Sequence, residues 1–263
     1  MLLCLDVGNT HILCGVFIKD ELILRFRYAT PLLGTADQFG IFLINILKLN
    51  RLDPLKINAI SIASVVPNYD YTLRHTFFQY FKNADYFMLQ PGVKTGLNIR
   101  CKSPNEVGAD RIANAIGAIA AFPKIALILV DMGTATTLCA ISADRNYLGG
   151  AILPGLRLCM ETLKNNTAKL MAVDIEIPST VMGRTTRESI QSGLYYGHLG
   201  ALKEIISGFK REVFPHQIVK VIGTGGFSQL YEKTHLFDTI IPDLVLQGLR
   251  RAYEYSCLEF KKN

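Results

Sequence analysis

No two cysteines of this chain form a C-x-x-C pair, and none clusters with histidines. Cys4, Cys14, Cys101, Cys139, Cys159 and Cys257 are scattered, four of them inside apolar runs, as reduced core cysteines are. That argues against a zinc site and fits a reducing, cytoplasmic setting. Charge of one sign is not concentrated either. Lysine and arginine total 28 against 22 acidic residues, for a net charge of +6 and a pI near 9.0. No basic run is denser than Lys210-Arg211 or Arg250-Arg251, which argues against nucleic acid and leaves an anionic small molecule open. The most apolar later stretch, residues 113–130, is broken by Pro123-Lys124 and reads as a helix followed by a buried strand, with no membrane span. Only five residues precede Asp6 and no basic n-region or cleavage site is seen, so no signal peptide is expected. Phosphate-loop spacing GxxxxGK[ST] is missing, and "GTGGFS" at 223–228 only approaches GxGxxG, which makes a Rossmann reading weak.

What is present is an ordinary globular composition, 49% apolar and 19% charged over 263 residues. That length suits one large domain or two of roughly 100–150 residues. Residues 2–17 read as two strands around the polar turn Asp6-Val7-Gly8-Asn9-Thr10, and Lys19-Asp20 as a hairpin turn into a third strand, "ELILRFRYAT". A helix over 36–49, a buried strand in "INAISIASVV", a helix over 71–81 and a short strand "YFML" follow. The second half repeats this order. "IALILVDMGTATTLCAIS" gives strand, turn, strand, and "RNYLGGAIL" a third strand. Helical patterns cover 155–170 and 186–209, then come the strand "IVKVIGTGG", another helix, and a last helix in "PDLVLQGLRRAYEYSCLEF".

At an offset of 125 positions, from Asp6 to Asp131, the residues Asp6, Gly8, Leu13 and Cys14 match Asp131, Gly133, Leu138 and Cys139. A duplicated domain, with a boundary between 116 and 117 (1–116 and 117–263) and a cleft between the copies, is the expectation. An Asp at the end of a buried strand points out of the sheet edge, and the glycine after it lets backbone approach a ligand. The amides and hydroxyls of Asn9, Thr10, Thr134, Thr136 and Thr137 suit phosphate oxygens. A carboxylate repels phosphate, so the pattern calls for a cation between them. Mg²⁺ held by one or two carboxylates and by phosphate oxygens is the usual arrangement.

"DVGNT", "EVGADR" at 106–111, "DMGTATT" at 131–137, "LGGAILPG" at 148–155, "GRTTRESIQSG" at 183–193 and "GTGG" at 223–226 together resemble type III pantothenate kinase. The blocks fall in that family's order over about residues 2–250. The resemblance implies an α/β fold of two duplicated ribonuclease-H-like, actin-like ATPase domains. It also implies phosphorylation of pantothenate by ATP with Mg²⁺ and a monovalent cation, K⁺ or ammonium, in a homodimer. By the same resemblance ATP falls to Asp6, Val7, Gly8, Asn9, Thr10, His11, Ile12, Leu13 and Thr134. Mg²⁺ falls to Asp6 through phosphate and water, and the monovalent cation to Asp131. Asp110 becomes the base that accepts the hydroxyl proton. Gly108, Ala109, Asp110, Arg111 and Thr186 become substrate contacts, with Arg111 suited to the substrate carboxylate.

Each assignment has a plainer alternative from the residues alone. Asp110 and Arg111 could be a first-turn acid and a surface arginine, Asp6 a turn former, and Thr186 a helix N-cap. The sequence also departs from the family at one place. Cys101 stands where a substrate-contacting tyrosine is usual, and Ser103 where Asn is usual, in "IRCKSPNEVGADR". An ATP-binding regulator of the same fold, or a related small-molecule kinase, is the alternative function.

Overall fold

The computed structural model describes residues 1–260. Contacts divide the described residues into two compact units: 1–97, 102–121 and 244–260 form one, and 98–101 with 122–243 the other. This differs from a single cut between 116 and 117. The final helix, expected with the second half, packs in the first unit, and a short early segment joins the second sheet.

In the first unit β1 (Leu2–Val7), β2 (His11–Ile18) and β3 (Glu21–Ala29) form an antiparallel meander. Lys19, with φ at +53°, makes the expected hairpin turn. After α1 (Ala36–Leu49) comes β4 (Ala59–Ser64), parallel to β1; after α2 (Asp70–Tyr80) comes β5 (Asp85–Leu89), parallel to β4. The order across the sheet is β3-β2-β1-β4-β5. Edge strand β3 turns Arg25 and Arg27 outward, which discourages further strand pairing.

Period-2 alternation decides what covers each face. Leu3, Leu5 and Val7 join Ile12, Cys14 and Val16 and the large Ile60 and Ile62 of β4. Phe39, Leu43 and Leu47 of α1 and Leu73 and Phe77 of α2 cover them. The opposite face has four small positions, Gly15, Ala59, Ser61 and Ala63, beside Leu13 and Phe17. There α6 (Leu244–Phe260) lies close, with Leu246 beside Gly15 and Ser61 Oγ donating to Leu249 O at 2.9 Å. The α6 helix also crosses α3 (Ala109–Ala121) backbone to backbone. Any side chain at Gly248 would strike Ala113 O, and one at Gly117 would meet Leu244 O at 2.6 Å. Arg250, nearly buried, ties α6 to the hairpin turn by pairing with Asp20, and it also pairs with Glu254 at 2.6 Å.

The second unit repeats the plan. β7 (Ala126–Met132), β8 (Ala135–Ile141) and β9 (Asn146–Pro154) form the meander. After α4 (Leu156–Asn165) and α5 (Thr186–Glu212), β10 (Val219–Thr224) lies parallel to β7, and β11 (Thr239–Ile240) parallel to β10. The order β11-β10-β7-β8-β9 is that of the first sheet, extended by β6 (Asn98–Ile99) beside β9. Ile128, Val130 and Met132 pack with Ile190, Leu194 and Leu202 of α5.

Four elements differ from expectation. The helix over 155–170 stops at Asn165, and 166–185 runs without regular structure. The helix after "GTGG" is a 3₁₀ segment, Ser228–Thr234. β6 and β11, two residues each, were too short to carry a pattern.

The helix crossing gives a sign test. Gly248→Ala is expected to cost about 1–3 kcal/mol by overpacking, whereas Gly208→Ala, which meets nothing closer than 3.9 Å, should stabilise by roughly 0.5–1 kcal/mol. Urea midpoints of the two variants measure this; stabilisation by Gly248→Ala would contradict the crossing.

Candidate active site

Asp6 is the penultimate residue of β1, on the face of the small residues and α6, half-buried. Its carboxylate is close enough to Cys14 to add to the upward push that burial gives that thiol. The turn after it is tight: Gly8 N donates to His11 O at 3.1 Å. Thr30 braces it, its hydroxyl donating to Gly8 O at 2.7 Å and its amide to Thr10 O at 3.0 Å. Asn9 and His11 are exposed, and Thr10 and Leu13 are half-buried. Val7 and Ile12 are fully buried in the core, so a ligand could meet only their backbone.

Asp110 lies at the same sheet end. Val65 N donates to Val7 O at 3.0 Å, continuing the β1–β4 pairing, and the Val65 side chain adjoins Gly108. Gly108 O receives the first helical bond of α3 from Ile112 N at 3.1 Å, which puts Asp110 in the first turn, where the helix dipole favours an anion. The Oδ1 atom lies over Gly108, where a side chain would collide with it. That oxygen is buried and accepts no hydrogen bond from the protein. A buried carboxylate oxygen without a donor costs free energy unless a ligand supplies one. The neighbouring Arg111 folds back, Nη2 donating to Glu106 O at 3.1 Å. Ala109 is buried.

In the second unit Asp131 is the penultimate residue of β7 and pairs in register with Thr224, the last residue of β10. Two glycine-bearing segments close on its turn. Gly225, at φ +84°, is packed so that a side chain would strike Asp131 Oδ1, and Phe227 N donates to Met132 O at 3.2 Å. Gly155 N donates to Thr134 O at 3.1 Å, and a side chain there would strike that carbonyl. The "LPG" and "GTGG" blocks thus hold the "DMGT" turn, with Thr134 exposed at its tip.

Thr186 is not the N-cap. Thr185 is, in a reciprocal box: Thr185 Oγ1 accepts from Glu188 N at 3.2 Å, and Glu188 Oε2 accepts from Thr185 N at 3.2 Å. Thr186, the first helical residue, is exposed and lines a cavity of about 720 Å³ with Leu153, Pro154, Cys159, Ser189 and His198. His198 was not singled out from sequence, where it reads as one more member of the inward stripe Leu194-His198-Leu202. It is buried, and its Nε2 lies 3.0 Å from Thr136 Oγ1. Cys101 is half-buried in the segment that carries β6.

Among the described residues no group of three or more His, Cys, Asp or Glu could hold a metal, and no helix is long and apolar enough to cross a membrane. Asp6 offers one half-buried carboxylate at the end of β1. That donor set fits a hard ion such as Mg²⁺ kept mainly by phosphate oxygens and water, which needs no protein cage.

Two sheets of one strand order, each ending in an Asp-x-Gly turn beyond its central parallel strands, define the actin-like ATPase and sugar-kinase fold. A Clostridium difficile protein, the activator of 2-hydroxyisocaproyl-CoA dehydratase with bound ADPNP, shares it at a TM-score of 0.55 and 12% identity over 100% of this chain and 97% of that one. A family model for type III pantothenate kinase matches residues 2–208. A type III pantothenate kinase of Legionella pneumophila (strain Corby) is 54% identical over 96% of this chain and 98% of its own. The type III pantothenate kinase 1 of Francisella tularensis subsp. holarctica (strain OSU18) is 46% identical over 97% and 99%. The chain belongs to the type III pantothenate kinase family.

Burial holds the His198 imidazole below its ordinary value of 6.5, so it is neutral at pH 7. The unfolded chain therefore takes up this proton first as pH falls, and stability declines below about 6.5. The thermal midpoint should drop between about pH 7.5 and 5.5, and drop less in His198→Gln. A midpoint that rises on acidification would contradict a neutral His198.

Proposed function

We propose that this protein transfers the γ-phosphoryl group of ATP to the 4′-hydroxyl of pantothenate, giving 4′-phosphopantothenate in the first step of coenzyme A biosynthesis. The observation that carries the mechanism is the donor-less, buried Oδ1 of Asp110, at the sheet end that also bears the Asp6 turn. In the reaction the hydroxyl oxygen forms a bond to the γ-phosphorus as the bond to the bridging oxygen of ADP breaks. The hydroxyl proton passes to the Asp110 carboxylate. Arg111 pairs with the pantothenate carboxylate, and Gly108 and Ala109 bring backbone alongside the substrate. Thr186 contributes a further hydroxyl.

The Asp6–Leu13 segment takes ATP, through the amides and hydroxyls of Gly8, Asn9 and Thr10, with His11 and Leu13 beside them and Val7 and Ile12 acting through backbone. Asp6 orients Mg²⁺, which supplies charge neutralisation on the transferring phosphoryl when bound. Thr134 makes a second ATP contact, and Asp131 takes the monovalent cation, K⁺ or ammonium. The reading includes a cytoplasmic homodimer. Its support is the concentration of exposed apolar side chains in one stretch of the second unit: Ile152, Leu158, Met171, Ile177, Val181 and Met182.

Asp110→Asn is nearly isosteric and removes the base. Turnover should fall about 10²–10⁴-fold with ATP affinity held within about threefold. Coupled ADP release and calorimetric titration read the two effects, and wild-type turnover would remove Asp110 from the mechanism. Cys101→Tyr restores a ring and hydroxyl and should lower the KM for pantothenate, measured in the same assay. An unchanged KM would mean that another residue serves this contact.

A further inference from the structure

Among the buried polar side chains of the second unit that no role above uses, His198 sits on α5, the helix packed on β7 and β8. It interrupts the apolar face of α5, with Leu194 and Leu202 one turn away on either side. A leucine would fill this place without burying a polar group. The imidazole instead meets one hydroxyl, Thr136 Oγ1, at 3.0 Å, and both residues are more than nine-tenths buried. Either the hydroxyl donates to an unprotonated Nε2, or Nε2–H donates to the hydroxyl.

Thr136 has a particular place. It is the second residue of β8, directly after the 131–134 turn, and it pairs with Met132 on β7 and Leu153 on β9. Alternation directs its side chain to the α5 face with Leu138 and Ala140, while Thr137, opposite Asp131, takes the other face. A hydrogen bond from α5 therefore fixes the first inward-facing rung below the turn that presents Asp131 and Thr134. His198 and Leu153 both line the cavity that Thr186 borders, so the same imidazole is in contact with that cavity.

We propose that His198 is a positioning residue for the nucleotide and cation turn, acting through Thr136. The inference rests on the reading of Asp131 and Thr134 given above. His198 touches no reacting atom; it sets the height and tilt of the turn relative to α5.

The test uses His198→Leu, Thr136→Val, the double variant and His198→Gln, whose amide nitrogen can stand where Nε2 does. ATP and K⁺ titrations of activity are combined with calorimetric ADP binding. Each single change should raise the KM for ATP and the K⁺ needed for half-activation by roughly five- to tenfold, with the KM for pantothenate within about twofold. The double variant should be no worse than either single one, since both remove one bond. His198→Gln should recover most of the loss. Singles that only lower the thermal midpoint, or effects that add in the double variant, would overturn the proposal. Thr136→Val, isosteric with the native residue, carries the test if His198→Leu does not fold. Asp131→Asn separates the two readings. If it abolishes the K⁺ response while His198→Leu and Thr136→Val behave as wild type, only the positioning role fails. If it leaves that response intact, the cation assignment fails, and ADP affinity alone judges His198.

Discussion

At the carboxyl ends of β7 and β10, stretches of backbone meet more closely than any side chain would allow. Gly155 rests on the carbonyls of Gly133 and Thr134, and Gly225 on the Asp131 carboxylate and the Met132 backbone. On the proposed reading this turn presents amides and hydroxyls to a polyphosphate, which leaves no room for padding by side chains. Its rigidity comes instead from neighbouring backbone, and glycine is the residue that permits the approach. The first unit solves the same problem differently. Its turn is braced by Thr30, and the close backbone approach occurs one layer away, where Gly117 and Gly248 let α3 and α6 cross. That crossing secures the helix whose first turn carries Asp110.

Asp6 and Asp110 in the first unit and Asp131 in the second are the carboxylates that the proposed function assigns to a highly anionic substrate. Their placement is explained only if none of them meets phosphate directly. Asp6 and Asp131 make sense as holders of cations, which reverse the sign of the local field. Asp110 makes sense as a proton acceptor, held ready by a helix start that favours its charge and by surroundings that give one oxygen no partner. On the proposed reading, a base in a helix's first turn has less freedom to move than one on a loop.

Much of this was legible in the chain. The echo of Asp6-x-Gly8 in Asp131-x-Gly133, each between buried strands, announced two sheets of one plan, and the strand orders agree. Local chemistry also marked the start of α3, where Pro104 opens a 3₁₀ turn before Gly108. What was hidden has physical causes. The helix expected to reach Leu170 stops at Asn165 because polar side chains take over its last carbonyls. Asn166 Nδ2 donates to Thr162 O at 3.0 Å, and Thr167 Oγ1 donates to Leu163 O at 2.8 Å. The sheet that a terminal helix covers is a matter of tertiary fit. Nothing in the apolar period of α6 says that its glycine will seat on Ala113. A buried histidine in an apolar stripe looks like core until its partner, far away in sequence, is seen.

The central claim is that this arrangement phosphorylates pantothenate with the help of both cations. Purified protein incubated with ATP, Mg²⁺ and K⁺, with and without pantothenate, and followed by mass spectrometry tests it most directly. The account predicts 4′-phosphopantothenate formed one for one with ADP, only when pantothenate is present, and falling away when K⁺ is withheld. Release of ADP without phosphopantothenate, or no turnover at all, would contradict it.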